Sequence, residues 1–147
     1  MITQRITASI AYLFALLFLY TGFSKIIDLT VFKEELSLSE FIRPFATFVV
    51  VVLPPIEIVS AIMLIIPRSR KKGFVVSLAL MVLFTLYVSA NLLLNNHALC
   101  GCGGGVERLS PSQHLGLNGI LIGLAVLGLY LSRHQHSNIP RIIAKNI

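Results

Sequence analysis

Four apolar runs, each about 20 residues long and therefore able to cross a membrane as a helix, occupy most of this 147-residue chain. They extend from about Ile6 to Lys25, Phe45 to Ile66, Phe74 to Leu94, and His114 to Leu131. Hydrophobic residues make up 56% of the chain and charged residues only 12%, a balance typical of membrane proteins and not of soluble enzymes. We therefore predict an all-α fold, an integral membrane four-helix bundle that forms a single membrane domain over residues 1–147.

The distribution of lysine and arginine predicts the orientation of these spans. The linker 67–73, PRSRKKG, carries basic residues and no acidic one, and the tail after the fourth run is also basic. The positive-inside rule then places this linker and both termini in the cytoplasm. No small-x-small cleavage site follows the first run, so we expect it to be retained as a span. The net charge of +6 is scattered over the ends and one linker, which argues against nucleic-acid binding.

The first outer connection, residues 26–44, carries apolar residues at near-helical spacing among charged ones. They are Phe32, Leu36, Phe41, Ile42 and Phe45. This spacing predicts a short amphipathic helix lying on the outer face of the membrane. A solvated connector with a few apolar residues is the alternative.

Both cysteines of the chain lie in the second outer connection, residues 95–113, as Cys100-Gly101-Cys102. A disulfide that closes so small a ring stabilises a fold by only ~1.6 kcal/mol in the chain-entropy model. Closing it demands a bend, which Gly101 and the glycines after Cys102 permit. A strained and exposed disulfide is easily reduced, as catalytic or regulatory disulfides are. The pattern predicts a redox-active pair in which either cysteine can attack. Cys100 is the favoured attacking thiol because Cys102, which follows it, is placed to resolve the mixed disulfide.

Two histidines, His97 and His114, flank this loop and are candidates to lower a cysteine pKa or accept its proton. The alternative is that each is an interfacial side chain at the end of a span. The two histidines and two cysteines also form a possible tetrahedral metal set. Cys-x-Cys is tighter than the usual zinc spacing, and an oxidising compartment works against free thiolates. Copper(I), which prefers soft thiolates, is the stronger metal alternative.

Ionisable groups inside a bilayer are costly, so Glu57, in the outer half of the second span, is a second candidate for function. Lys25, at the end of the first span, is placed to pair with it. The pair is either purely structural or a device that positions a redox ligand or moves protons. Asn118 in the fourth span is a candidate for polar contacts between helices. Tyr20, Tyr87 and Phe84 are candidates for a ligand pocket or for simple core filling.

The whole chain resembles the MauE/DoxX group of small, redox-associated bacterial membrane proteins. The segments that carry the resemblance are YTGFSK, LPPIEIVSAIMLI, CGCGG and LGLNGILIGLAVL. Relatives typically read Cys-Gly-Cys-Phe-Gly, whereas Gly103 occupies the aromatic position here. The resemblance implies a four-helix protein of the bacterial inner membrane that makes or maintains disulfides in periplasmic proteins, beside thioredoxin-like partners.

Thiols on one side only cannot carry reducing power across a membrane by exchange alone. We therefore predict a membrane thiol-disulfide oxidoreductase or accessory factor that exchanges disulfides with periplasmic thioredoxin-like or client proteins through Cys100 and Cys102. Its electrons pass either to a lipid-soluble quinone between the helices or to a second outer protein. The alternatives are a non-enzymatic scaffold subunit of a larger membrane complex, and a copper- or zinc-handling membrane protein that uses the same cysteines.

Overall fold

The computed structural model describes residues 2–37, 39, 42–94 and 111–144, and every regular element in this part of the chain is helical. The five α-helices are α1 (Ile2–Ile27), α2 (Leu29–Ser37), α3 (Ala46–Ile65), α4 (Arg70–Leu94) and α5 (Pro111–Ala144), and a short 3-10 helix, Arg43–Phe45, precedes α3.

Four of the helices are long and apolar enough to cross a membrane. Their apolar stretches are Ile2–Ile27, Arg43–Ile65, Arg70–Ala90 and Gln113–Arg133. The predicted all-α fold with four spans is confirmed, whereas the cytoplasmic placement of the termini stays a prediction. The last helix continues past the apolar run to Ala144.

The four long helices run alternately up and down, with α1 packed on α3 and α5, and α4 packed on α3 and α5. Their common core contains Phe14 and Phe18 of α1, Leu64 of α3, Phe74 of α4 and Ala125 of α5. At one end of the bundle, which we name the α2 end, α1 and α4 finish while α3 and α5 begin.

The crossing of α4 and α5 depends on a glycine. A Cβ atom built on Gly128 would lie 2.5 Å from two atoms of the Phe74 ring. Real Cβ contacts are not this short, so the absent side chain is what lets the ring fill the space between the two helices.

The first connection contains the predicted short helix, now seen as α2. Its buried residues Phe32 and Leu36 pack against Ala46 and Val50 in the first turns of α3. The helix ends at Ser37, and Phe45, expected on the same apolar side, is 63% exposed. A helix continuing through residue 45 is disfavoured because Pro44 has no N–H and restricts the residue before it.

The connection between α3 and α4 is held by Arg70, one of the linker's basic residues. Its Nε donates to the carbonyl oxygen of Leu64 at 3.0 Å, and its Nη2 donates to that of Ile65 at 3.5 Å. The guanidinium also lies 5.9 Å from the centroid of the Tyr12 ring. Arg70 therefore satisfies carbonyl groups at the end of α3 that lack partners within the helix.

Candidate functional site

A close approach between α1 and α3 creates the candidate site. A Cβ atom on Gly22 would lie 3.2 Å from Ile58 Cγ1 and 3.5 Å from Glu57 Cβ. Glycine at this position lets the two backbones come together. Lys25 follows Gly22 by three residues, so both lie on the same face of α1. The face of α1 that meets α3 therefore carries an ammonium group directly opposite Glu57.

The two charged side chains form a buried ion pair. Lys25 Nζ donates to Glu57 Oε1 at 2.6 Å, and the side chains are 2% and 1% exposed. Each charge compensates for the loss of solvent around the other, and removing either one would leave an isolated charge inside the bundle. The predicted pairing of Lys25 with Glu57 is therefore present in the structure.

Two aromatic rings lie beside the ammonium group. Lys25 Nζ is 4.9 Å from the centroid of Phe84 on α4 and 5.5 Å from that of Phe32 on α2. Both distances fall within the range of cation–π attraction, which is strengthened where water is excluded. The short helix α2 thus contributes to the site through Phe32, in addition to packing on α3.

A cavity of about 70 Å³ lies next to the ion pair, and all four long helices line it. Its polar lining residues are Thr21 and Lys25 from α1, Glu57 from α3, and His114 and Asn118 from α5. Its apolar lining residues are Leu17, Phe18, Met81, Phe84, Leu117 and Leu121. The cavity is several times larger than the ~10–15 Å³ that one buried water needs, so it has room for a small chemical group.

Two polar atoms at this site have no hydrogen-bond partner in the described part of the chain. They are the second carboxylate oxygen of Glu57, Oε2, and the amide nitrogen of Asn118, Nδ2. Both residues are at least nine-tenths buried, with Asn118 only 5% exposed. An unsatisfied buried polar group costs about 1–3 kcal/mol, so a molecule in the cavity that hydrogen-bonds to Glu57 Oε2 or Asn118 Nδ2 would be stabilised there.

Four of the residues singled out from the sequence come together here, namely Lys25, Glu57, His114 and Asn118. The other three, Cys100, Cys102 and His97, lie outside the described residues. In the sequence the cysteines lie between α4 and α5, and the start of α5 brings His114 to the cavity.

Of the aromatic candidates for a pocket, Phe84 lines the cavity. Tyr20 is 51% exposed, and Tyr87 packs against the cluster formed by α2 and the start of α3. Sequence reasoning missed Phe32 as a neighbour of the ammonium group, although a phenylalanine one turn from Leu36 in a charged helix was a visible sign of burial. It also missed Thr21, which gave no such sign.

Within residues 2–37, 39, 42–94 and 111–144, no group of three or more histidine, cysteine, aspartate or glutamate side chains is arranged to hold a metal ion. The cysteine-based metal set proposed from the sequence requires residues outside these ranges. The groups here that can hold a ligand are instead the ion pair, the amide of Asn118 and the apolar walls.

Comparison with known proteins gives one family match. The model of the family described as "Methylamine utilisation protein MauE" matches residues 3–131, which covers all four spans. Searches of curated proteins and of solved structures found no match.

Proposed function

The chain belongs to the MauE family, and from this membership we propose that it is a membrane accessory factor that exchanges disulfides through Cys100 and Cys102. Its partners in this proposal are periplasmic thioredoxin-like proteins or client proteins, and its location is the bacterial inner membrane. The cysteine loop faces the periplasm, where disulfides form and persist.

The exchange proceeds through a mixed disulfide. The thiolate of Cys100 attacks one sulfur of a partner disulfide, forms a bond to it and releases the other partner sulfur as a thiolate. Cys102 then attacks Cys100, which closes the Cys100–Cys102 disulfide and releases the partner as a dithiol. Two electrons and two protons pass from the pair to the partner. The reverse sequence oxidises a partner dithiol and leaves the pair reduced.

The observation that carries this proposal is the charged cavity at the α2 end. α4 and α5, between which Cys100 and Cys102 stand in the sequence, both line this cavity, and this supports the proposal. A lipid-soluble quinone that occupies the cavity would accept the two electrons and two protons of the reduced pair. A second outer protein is the other acceptor that the sequence allows.

Thiol trapping on the purified full chain in lipid nanodiscs tests the exchange. The protein is equilibrated with a thioredoxin-like protein over a range of ratios of the partner's dithiol form to its disulfide form. The reaction is then quenched with acid, and free thiols are labelled with a maleimide. We expect the Cys100–Cys102 pair to titrate between its reduced and oxidised forms. With the disulfide form of the partner, the reduced Cys102→Ser variant is expected to accumulate a mixed disulfide through Cys100, with release of the other partner sulfur as a thiolate. Cys100→Ser serves as the matched control that accumulates much less.

Three results would contradict the proposal. A pair that fails to exchange and has a potential below about −300 mV, the range of structural disulfides, would indicate a scaffold subunit. If a membrane-impermeant thiol reagent labels the cysteines only after the cell membrane is permeabilised, the loop lies in the cytoplasm. Stoichiometric copper or zinc in protein purified under reducing conditions would indicate the metal-handling alternative.

A further inference from the structure

The two unpartnered atoms beside the cavity define the chemistry of what can bind there. An ionised carboxylate only accepts hydrogen bonds, and an amide nitrogen only donates them. The complement of Glu57 Oε2 and Asn118 Nδ2 is therefore a group that donates and accepts at once. We infer that the cavity binds the hydroxyl group of an aromatic molecule, which donates to Glu57 and accepts from Asn118.

Water also donates and accepts, but water alone does not suit this cavity. Each buried water needs two to four polar partners, and the volume of about 70 Å³ would hold several waters. Most of the wall consists of the apolar side chains of α1, α4 and α5, including Phe18, Met81 and Phe84. Aromatic and thioether groups pack well on a flat ring. One hydroxyl on an apolar ring satisfies the two polar atoms and fills the remaining space.

Lys25 also favours a ligand that carries an oxygen atom. Its ammonium has three N–H donors, and the one hydrogen bond that it makes in the described structure is to Glu57 Oε1. The other donors are close to the rings of Phe32 and Phe84. A ligand oxygen beside the ion pair therefore meets a cation in addition to the amide of Asn118, whereas a ligand without polar atoms would offer no partner to Glu57 Oε2 or Asn118 Nδ2.

The inference also predicts which redox form of a membrane quinone binds better, and in this respect it rests on the proposed function. A quinol has hydroxyl groups that donate to Glu57, whereas a quinone has carbonyl oxygens that only accept. The cavity should therefore favour the quinol. Preferential binding of the reduced form raises the reduction potential of the bound couple, so a bound quinone becomes a stronger oxidant of the cysteine pair.

A matched pair of ligands tests the hydroxyl requirement. We compare how tightly the full chain in nanodiscs binds 4-octylphenol and its methyl ether. The ether keeps the ring and the oxygen but lacks the hydrogen that the phenol donates. Empty nanodiscs give the lipid partitioning to be subtracted. We expect the phenol to bind at least tenfold more tightly than the ether. Equal affinities, or saturable binding of neither compound, would overturn the inference without requiring any variant to fold.

Two variants on α5 assign the preference to the cavity. Asn118→Leu, close in size but without the amide, is expected to reduce phenol affinity about tenfold. Ile120→Leu, at a position 64% exposed and outside the cavity lining, should leave it unchanged. An unchanged affinity in Asn118→Leu, with a circular dichroism spectrum matching the parent, would place the phenol elsewhere and refute the assignment.

Short-chain ubiquinol and ubiquinone, compared under anaerobic conditions, distinguish a membrane quinol from other phenols. The comparison is made in the Cys100→Ser/Cys102→Ser double variant, which cannot exchange disulfides. Tenfold tighter quinol binding would correspond to a rise of about 30 mV in the two-electron potential. If the parent exchanges disulfides but ubiquinone binds as tightly as ubiquinol, the ligand inference fails alone. If ubiquinol is preferred but no exchange occurs, the proposed function fails alone.

Discussion

Replacing Glu57 by leucine would leave the ammonium of Lys25 buried without its counter-charge. The Lys25 side chain is 2% exposed, and its ammonium donates at 2.6 Å to the carboxylate that the substitution removes. Breaking a buried pair from one side typically costs about 3–5 kcal/mol. The rings of Phe32 and Phe84 remain and offset part of this loss, because each cation–π contact is worth up to about 2 kcal/mol when desolvated. We therefore expect Glu57→Leu to lower the free energy of unfolding by about 3 kcal/mol.

The double variant Lys25→Met/Glu57→Leu separates the loss of the pair from the burial of a lone charge. Apolar replacement of a whole buried ion pair is often neutral or stabilising, so the double variant should be about 1 kcal/mol from the parent. Unfolding in detergent by increasing fractions of dodecyl sulfate, followed by far-UV circular dichroism, measures all the free energies. This probe suits the chain because it has no tryptophan.

A second substitution on α3 serves as the control. Val59 is 54% exposed and lies two residues from Glu57, so Val59→Ala should change the free energy of unfolding by less than about 1 kcal/mol. If the Lys25 and Glu57 single variants each cost under 1 kcal/mol and their effects simply add in the double variant, the two charges are not energetically coupled. The interpretation of the site as a desolvated ion pair would then be wrong.

Two further substitutions test the packing that holds the site in place. Gly128→Ala should lower the free energy of unfolding by about 1–3 kcal/mol because its new methyl group overlaps the Phe74 ring. Gly123→Ala, whose methyl group meets open space, should change it by less than about 1 kcal/mol. Equal effects in the same unfolding assay would refute the close crossing of α4 and α5. Arg70→Met should lower the free energy of unfolding by about 1–2 kcal/mol because it loses the hydrogen bonds to the end of α3. Lys71→Met, at an exposed position, is the control, and a comparable loss of stability in it would contradict this role of Arg70.

The helical spans were predictable because hydrophobic length alone determines whether a segment can cross a bilayer. The pairing of Lys25 with Glu57 was predictable for a related reason, since two opposite charges at membrane depth are each too costly to leave alone. Topology places the end of the first span beside the second. The contact between these two residues can therefore be predicted from a single sequence, because the bilayer disfavours either charge without a partner.

The cavity could not be predicted in the same way. Met81 and Leu121 are ordinary apolar residues, and only the rotation of α4 and α5 about their axes decides whether they face lipid, core or an open space. That rotation depends on close contacts such as Gly128 with Phe74, which sequence periodicity does not specify. The contribution of α2 was missed for the same reason, because its distance from Lys25 depends on how α2 packs on α3.

The role of the ion pair in fold stability can be separated from its role in ligand binding, because an apolar pair could hold α1 against α3 equally well. If Lys25 and Glu57 only joined two helices, the Lys25→Met/Glu57→Leu variant would keep both the parent's stability and its preference for a phenol over the matched ether. The geometry predicts a different result. One carboxylate oxygen is committed to Lys25 while the other has no partner in the described structure, so the apolar pair restores the packing but removes a hydrogen-bond acceptor beside the cavity. A double variant that is stable but binds phenol and ether equally would show that the charges serve the cavity rather than the fold.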